Sequence, residues 1–282
     1  MDTNFNDFLT QGLYLRGWSA RTIRTYRQGL ATLPPTLTKS TLAAWVVEQR
    51  QRGLTPGGIN MYARTINSYL SWLHTEGHVS DRLRIKLLPN PPKPLRALSD
   101  AEIRRLVLFR PHGRLALRTW TIIVMLLDTG LRIDEALGLE GCNVDLANLT
   151  LRVCGKGNRE RLVPISLECR RRLYLWMKSS APPASSLVFC TRTGQRLSAR
   201  NVYRDIKAVC QHAGVVGVHV HPHAFRHCFA VTYVRNGGDI YRLSRILGHA
   251  SISTTQIYLR SMGIDVIGEG HDRLTPLNLR RA

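Results

Sequence analysis

The sequence contains no closely spaced cysteine pair and no long apolar segment. Its six cysteines are dispersed without a C-x-x-C motif, which argues against a disulfide scaffold or a zinc ribbon and is typical of reduced, buried thiols in the cytosol. The N-terminus, MDTNFNDFL, has acidic residues where a signal peptide has basic ones, and the longest apolar run, residues 120–127, is too short to span a bilayer. We therefore expect a cytoplasmic protein without membrane association.

Acidic residues and lysines are also scarce. Only 19 residues are Asp or Glu against 40 Lys or Arg, which leaves a formal charge of +21, and only six of the 40 basic residues are lysines. This excess indicates a polyanionic partner, with nucleic acid as the first candidate, because the arginine fork matches two phosphate oxygens at once. A solubilising surface in an arginine-rich genome would carry the same charge, so charge alone does not decide the function.

Proline is concentrated in one short segment. Residues 88–96, LPNPPKPLR, contain four prolines, which is typical of an extended linker between domains. The predicted organisation is a helical DNA-binding domain at residues 1–88, a linker at 89–97, a second domain at 98–262 and a C-terminal tail at 263–282.

The first domain is predicted to be helical. Its helices cover residues 20–30, after the capping residue Ser19, then 38–52, with Leu42, Val46 and Val47 facing inward, and 55–76. Basic residues punctuate these helices, so one face could lie against a DNA backbone, although an ordinary solvated face explains any single arginine equally well. The candidate DNA contacts are Arg16, Arg21, Arg24, Arg27 and Arg64, together with Arg159 of the second domain.

The second domain is predicted to be mainly α-helical with one small β-sheet. Ser99 and Glu102 form a capping box at its start. The predicted helices cover residues 100–109, 115–127 (buried, ending near Gly130), 133–139 and several segments after 170. The predicted strands cover 149–153 and 161–165, joined by a hairpin turn at 155–158.

Five short strings occur in order along this domain. They are TGLRIDE at residues 129–135, GKG at 155–157, HAFRH at 223–227, LGH at 247–249 and a tyrosine at 258. Together they resemble the catalytic signature of the tyrosine recombinase (phage integrase) family, of a simple Xer-like or transposon-borne type, over residues 95–260. The resemblance implies a two-domain, C-shaped DNA clamp, in which a helical, SAM-like core-binding domain precedes a mixed catalytic domain.

Two arginines suit the chemistry of phosphodiester cleavage, which places added negative charge on nonbridging oxygens and requires preorganised donors. Arg132 and Arg226 each lie near a predicted helix boundary, although either one alone is more often a surface or salt-bridge residue. Glu135 lies three residues after Arg132 and is predicted to orient its guanidinium in a supporting role, without transferring a proton.

The resemblance implies the remaining catalytic roles. Lys156, at the hairpin tip, would protonate the departing 5′ oxygen as a general acid, although turn lysines are usually solvated. His223 would lie beside the phosphate with Arg226, where a neutral imidazole can also accept the tyrosine proton. His249 would donate a hydrogen bond to the phosphate. Tyr258 would be the nucleophile that forms a 3′-phosphotyrosyl ester, without metal, ATP or other cofactor.

Two metal-dependent alternatives fit the sequence less well. The segment between His223 and His227 lacks the glutamate of a zincin, and Arg226 would place positive charge beside a metal. The acidic residues at 128, 134, 135 and 145 stand too close together in sequence to suggest a two-metal transposase. The cluster behind the zinc alternative is His219, His221, His223, His227 and Cys228. We predict no metal site.

The function predicted from these observations is site-specific recombination of double-stranded DNA at the nucleoid, in integration, excision or resolution by a mobile element. A catalytically silent DNA-binding regulator of the same fold, a type IB topoisomerase and a metal-dependent nuclease or transposase are the rival functions. The resemblance also implies that the C-terminal tail docks on a neighbouring subunit, that a homotetramer forms on paired DNA sites, and that accessory proteins can take part.

Overall fold

The computed structural model describes residues 3–91, 98–155, 160–180, 186–216 and 220–249. Contacts within the chain divide it into two compact units, unit 1 (Met1–Lys93) and unit 2 (Pro94–Ala282). Both are mainly helical and unit 2 also contains a small antiparallel sheet, which confirms the predicted secondary-structure class. Within the described ranges, no helix is long and apolar enough to cross a membrane.

The described part of unit 1 contains four helices packed around an aromatic core. They are α1 (Thr3–Tyr14), α2 (Ala20–Leu30), α3 (Lys39–Gln51) and α4 (Pro56–Thr75). The last three confirm the predicted helices, and the hydroxyls of Ser19, Thr38 and Thr55 each accept a backbone N–H that the first helical turn leaves unsatisfied. Helix α1 was not predicted; its buried Phe8 packs edge-on against Trp18, Tyr26 and Tyr69.

The buried face of α3 differs from the predicted one. Leu42 is buried as predicted and Val46 is partly buried, but Val47 is 55% exposed, so its inward assignment was wrong. Trp45 and Gln49 are buried instead. The positions three, four and seven residues after Leu42 share its helix face, whereas each further residue turns by about 100°, which carries Val47 away from the core.

Two asparagines on α4 hold the chain that follows this helix. Asn67 donates to the Ile85 carbonyl at 2.9 Å and accepts from the Ile85 N–H at 2.7 Å. Asn60 makes the same pair of bonds to Leu88, both at 2.8 Å. The two asparagines are seven residues apart on the helix and their partners are three residues apart on the extended chain. The two spacings match because each spans roughly 10 Å. The segment before the prolines is therefore fixed to unit 1.

Unit 2 is arranged around one central helix. Its helices are α5 (Asp100–Leu108), α6 (Gly113–Thr129), α7 (Ile133–Leu137), α8 (Leu167–Ser180), α9 (Ala199–His212), α10 (Pro222–Arg235) and α11 (Ile240–Leu247). Helix α6 contacts α8, α9 and α10, and its consecutive residues Ile122 to Leu126 are all buried, as in a helix that is apolar on every side. Leu115, in its first turn, is 56% exposed, so the predicted burial of this helix was wrong at that end.

Among the residues that the structure describes, the sheet of unit 2 has three antiparallel strands in the order β1 (Val144–Asp145), β2 (Thr150–Cys154) and β3 (Glu160–Pro164). Strands β2 and β3 confirm the two predicted strands, and the two-residue β1 was not predicted. Leu151 of β2 pairs with Val163 of β3, and both side chains are buried. The alternation of buried and exposed residues along β2 shows that one face of the sheet packs on the helices.

The cysteines are not uniformly buried. Cys169, Cys210 and Cys228 are buried as expected, but Cys142 and Cys154 are exposed, so the expectation was wrong for these two. Burial raises the pKa of the Cys210 thiol to about 12, which leaves it protonated and inert at neutral pH.

Candidate active site

The candidate site begins where α6 ends. Gly130 caps this helix in the left-handed conformation, with φ of 62°, and Arg132 follows as the N-cap of α7. The backbone N–H of Arg132 donates to Oε2 of Glu135 at 2.9 Å, and its Nη1 donates to Oε1 at 3.0 Å. The short break between the two helices thus orients the arginine and the carboxylate toward each other.

Arg161 of β3 also binds the Glu135 carboxylate. Its Nη1 and Nη2 donate to Oε1 and Oε2 of Glu135 at 3.0 and 2.8 Å. Burial acts to raise the pKa of Glu135, but the hydrogen bonds and charges of Arg161 and Arg132 outweigh it and hold that pKa below its usual value. Glu135 is therefore an anionic clamp between two arginines.

Arg226 lies on α10 with a side chain directed into the protein. The residue is only 2% exposed. Its Nη1 donates to the carbonyl of Gly130 and its Nη2 to the carbonyl of Leu247, both at 2.7 Å. These partners lie 96 and 21 residues away in sequence, so Arg226 connects the end of α6 to the end of α11.

The C-terminus of α11 accepts hydrogen bonds from three arginines. Arg161 Nε binds the Ile246 carbonyl at 2.8 Å, Arg132 Nη1 binds the Leu247 carbonyl at 3.4 Å and Arg132 Nη2 binds the Gly248 carbonyl at 3.3 Å, in addition to the bond from Arg226. The last carbonyls of a helix have no partner within it and carry partial negative charge. The carbonyls at the end of α11 therefore attract cationic side chains from three separate elements.

His249 follows the left-handed cap Gly248 and completes the cluster. Its Nε2 lies 2.7 Å from Arg226 Nη2, and because arginine has no acceptor, Nε2 must accept this hydrogen bond. Burial, followed by the charges of Arg226, Arg132 and Arg161, lowers the pKa of His249 to about 4. The imidazole is therefore neutral at pH 7, with its proton on Nδ1. We call Arg132, Arg161, Arg226, Glu135 and His249 the cationic centre.

His223 lies on the first turn of α10, after the helix cap His221. Its side chain is exposed, yet partial burial and the nearby charges of Arg226 and Arg132 lower its pKa, against the opposite effect of Asp134. His223 is thus close enough to the two arginines to respond to their charge, although it lies outside their hydrogen-bond cluster. It is a neutral imidazole at the edge of the centre at pH 7.

The structure brings together four of the predicted site residues, Arg132, Glu135, Arg226 and His249, with His223 beside them. Three further candidates, Lys156, Arg159 and Tyr258, lie outside the described residues. In unit 1 the candidate DNA contacts are all exposed on or near α1, α2 and α4: Arg16, Arg21, Arg24, Arg27 and Arg64. No group of three or more His, Cys, Asp or Glu side chains in the described parts of the chain could hold a metal ion.

Sequence reasoning missed Arg161. In the sequence, Arg161 looks like any other polar residue of a β-strand. Its hydrogen-bond partners lie 26 and 85 residues away, so no local pattern connects them to it. The only signal was a long basic side chain near the predicted hairpin.

The cationic centre contains three guanidinium groups and a single carboxylate, which leaves an excess of positive charge. Such an arrangement is chemically suited to binding an anionic group such as a phosphodiester through several donors at once. The chain belongs to the phage integrase family, whose model matches residues 96–263. The family resemblance of the five sequence strings is thereby confirmed.

Comparison with individual proteins agrees with this assignment. The chain is 32% identical to the tyrosine recombinase XerC of Xylella fastidiosa (strain 9a5c), over 95% of both chains. Its fold is similar to that of the Tn1549 transposon integrase in complex with transposon right end DNA (TM-score 0.77, 19% identity, 97% of this chain and 99% of the other). It is also similar to the XerH recombinase bound to its difH substrate (TM-score 0.74, 21% identity, 91% and 81%). The chain is a tyrosine recombinase, which breaks and rejoins DNA in site-specific recombination.

Proposed function

We propose that this recombinase cleaves each DNA strand through a 3′-phosphotyrosyl intermediate on Tyr258, with the cationic centre holding the scissile phosphate. The observation that carries the proposal is the convergence of Arg132 and Arg226 on the C-terminus of α11, directly before His249. The two arginines come from segments far apart in sequence and bring their donors to one location. A phosphodiester is the group that needs such donors, because its cleavage concentrates charge on two nonbridging oxygens.

The two arginines have different roles. Arg226 is buried and its hydrogen bonds to backbone carbonyls are short, so it forms the rigid part of the site. The Arg132 side chain is 38% exposed and its bonds to the helix carbonyls are long, at 3.3 and 3.4 Å. Phosphate oxygens accept hydrogen bonds from guanidinium more strongly than neutral carbonyls do. A bound phosphate therefore replaces these carbonyls as the acceptors of the Arg132 hydrogen bonds.

Neutral histidines complete the proposed mechanism. His249 holds its proton on Nδ1 and donates it as a hydrogen bond to the phosphate, while His223 accepts the proton of the Tyr258 hydroxyl during attack. Lys156 protonates the departing 5′ oxygen. The reverse attack by a 5′ hydroxyl of another strand restores the phosphodiester, so neither ATP nor a metal ion is required for energy or activation.

The assembly and context are part of the proposal. Unit 1 binds the DNA backbone through its exposed arginines, residues 98–262 form the catalytic domain, and residues 89–97 link the two. Four copies act on two paired DNA sites in the nucleoid, assisted by accessory proteins, with residues 263–282 docking on a neighbouring subunit. A role in a mobile element is supported by the similarity in fold to the Tn1549 transposon integrase.

A covalent-trapping experiment tests the mechanism. DNA flanking the gene is placed on a supercoiled plasmid, incubated with the wild-type protein or Tyr258→Phe in EDTA, and quenched with detergent. We expect a covalent adduct on a 3′ phosphate with the wild type alone, and mapping the nick identifies the site. Tight binding without an adduct, also on a nicked suicide substrate, would overturn the proposal in favour of a silent DNA-binding regulator.

A truncation tests the assembly. A chain ending at Arg260 retains Tyr258 but lacks the tail. We expect it to cleave a single site and to fail in recombination between two sites. Recombination at the wild-type rate by the truncated chain would show that the tail is not required for assembly.

A further inference from the structure

Arg161 belongs to the cationic centre, and its guanidinium is bound by groups within the protein. All three of its guanidinium nitrogens donate within the protein: Nη1 and Nη2 to Glu135, and Nε to the carbonyl of Ile246. Its side chain is only 14% exposed. Three of the five N–H groups of Arg161 are therefore engaged inside the protein on a largely buried side chain, whereas the Arg132 side chain is 38% exposed and its long carbonyl bonds are replaceable.

Glu135 transmits the position of Arg161 to Arg132. Oε1 accepts from Nη1 of both arginines at 3.0 Å, and Oε2 accepts from the Arg132 backbone N–H and from Arg161 Nη2. With two donors on each oxygen, the carboxylate has a single orientation. Without the fork of Arg161, Glu135 would keep only its bonds to Arg132, and the two side chains could turn together.

Arg161 is itself held rigidly. It pairs with Val153 in the β2–β3 ladder, and its Nε is fixed by the end of α11. The approach is so close that a Cβ added at Gly248 would lie 2.9 Å from the guanidinium carbon of Arg161. A residue fixed at its backbone by the sheet and at its tip by a helix is well suited to hold another side chain in place.

We propose that Arg161 is a positioning residue for strand cleavage: through Glu135 it fixes the guanidinium of Arg132 in the orientation that receives the scissile phosphate. This inference rests on the proposed function, since it concerns the same phosphate site. Arg161 contributes to the rate of cleavage and not to the affinity for DNA.

The test compares three variants on a nicked suicide duplex that carries the mapped cleavage position. Arg161→Lys keeps the charge but cannot fork around Glu135, Glu135→Gln keeps the shape but not the charge, and the third variant combines both. Single-turnover formation of the covalent adduct and the equilibrium affinity for the duplex are measured separately. Arg152→Lys, an exposed arginine on the adjacent strand β2, is the matched control.

We expect Arg161→Lys to slow adduct formation by about 10- to 100-fold, the cost of misplacing a catalytic group, with unchanged DNA affinity. Because both residues act in one chain of contacts, the combined variant should be no slower than the slower single variant. The control should cleave at the wild-type rate.

Other outcomes would overturn the inference. These are cleavage by Arg161→Lys at the wild-type rate, a loss of DNA affinity that accounts for the slower reaction, or single effects that multiply in the combined variant. If circular dichroism shows that Arg161→Lys does not fold, Glu135→Gln tests the inference instead. Its rate of adduct formation should fall while its affinity for DNA is unchanged. Failure of the wild-type protein itself to form an adduct would count against the proposed function instead.

Discussion

Arg226 donates a hydrogen bond of 2.7 Å to Nε2 of His249, across 23 residues of sequence. The same guanidinium holds the carbonyls of Gly130 and Leu247, so one buried side chain fixes the end of α6, the end of α11 and the imidazole that follows it. This bond also determines the tautomer of the neutral imidazole, because a ring nitrogen that accepts from arginine cannot carry a proton. Arg226 therefore fixes both the position of the His249 ring and the nitrogen that carries its proton.

Arg226→Lys should abolish most catalysis. Lysine retains one positive charge but lacks the planar fork that reaches two carbonyls and His249 together. We expect single-turnover adduct formation to fall by about 10²- to 10³-fold, the loss typical for removal of a preorganised donor, while DNA binding is retained. Arg235→Lys, an exposed arginine on the same helix, is the control. Normal cleavage by Arg226→Lys would show that Arg226 does not contact the reacting phosphate.

His249 should make the folded protein sensitive to mild acid. Its pKa of about 4 in the folded state lies below the usual histidine pKa of 6.5, so the unfolded chain binds more protons between these values. Stability due to this group is complete above pH 6.5 and is lost as the pH falls toward 4. His249→Gln should lose less stability over this window, by on the order of 1 to 2 kcal/mol after allowance for solvent screening.

Thermal unfolding of the wild type and His249→Gln between pH 7 and 4 measures the effect. Exposed His212, changed to Gln, is the control. His223 and His227 also have lowered pKa values and contribute with the same sign in both proteins, whereas the lowered pKa of Glu135 acts at more acidic pH. Parallel pH curves for the wild type and His249→Gln would contradict the prediction.

Local patterns in the sequence predicted much of the fold. The capping box of Ser99 and Glu102 is present, with the Ser99 N–H 2.8 Å from Glu102 Oε2, because it depends only on residues three apart. The antiparallel pairing of β2 with β3 also involves segments that are close in sequence, whereas the predicted turn at 155–158 lies mostly outside the described residues. Errors arose where the choice depended on distant partners: Val47 and Trp45 lie two residues apart on one helix, and only the packing of α3 in unit 1 selects Trp45 for the core.

The residues of the candidate site were predictable only in part, because the contacts between them also depend on distant partners. Arg132, Arg226 and His249 occur in recognisable strings, but nothing in those strings states that the two arginines bind the carbonyls at the end of α11, beside His249. Arg161 was missed because its function comes from contacts with a carboxylate on another helix and a backbone carbonyl, and a carbonyl has no sequence signature.

Gly130→Ala should be strongly destabilising. The residue has φ of 62°, and an added Cβ would lie 2.5 Å from Phe229 Cδ1 and 2.7 Å from Leu247 Cδ2. Left-handed strain and overpacking together should cost about 2 to 4 kcal/mol of unfolding free energy. Gly194→Ala separates the two effects, because Gly194 also has positive φ, at 77°, but nothing lies within 4 Å of its added Cβ. Equal losses in urea unfolding would show that crowding at Gly130 contributes nothing.

Asn67→Ala should release one end of the extended segment that leads out of unit 1. The change removes both bonds to Ile85 and should cost about 1 to 3 kcal/mol, because a buried donor and acceptor lose their partner. Hydrogen exchange gives a local measurement: the Ile85 amide should exchange faster, while the Leu88 amide, held by Asn60, should change less. Ser71→Ala, an exposed position on the same helix, is the control. Unchanged exchange at Ile85 would mean that apolar packing of Leu83 and Ile85, and not the asparagine, holds this segment on α4.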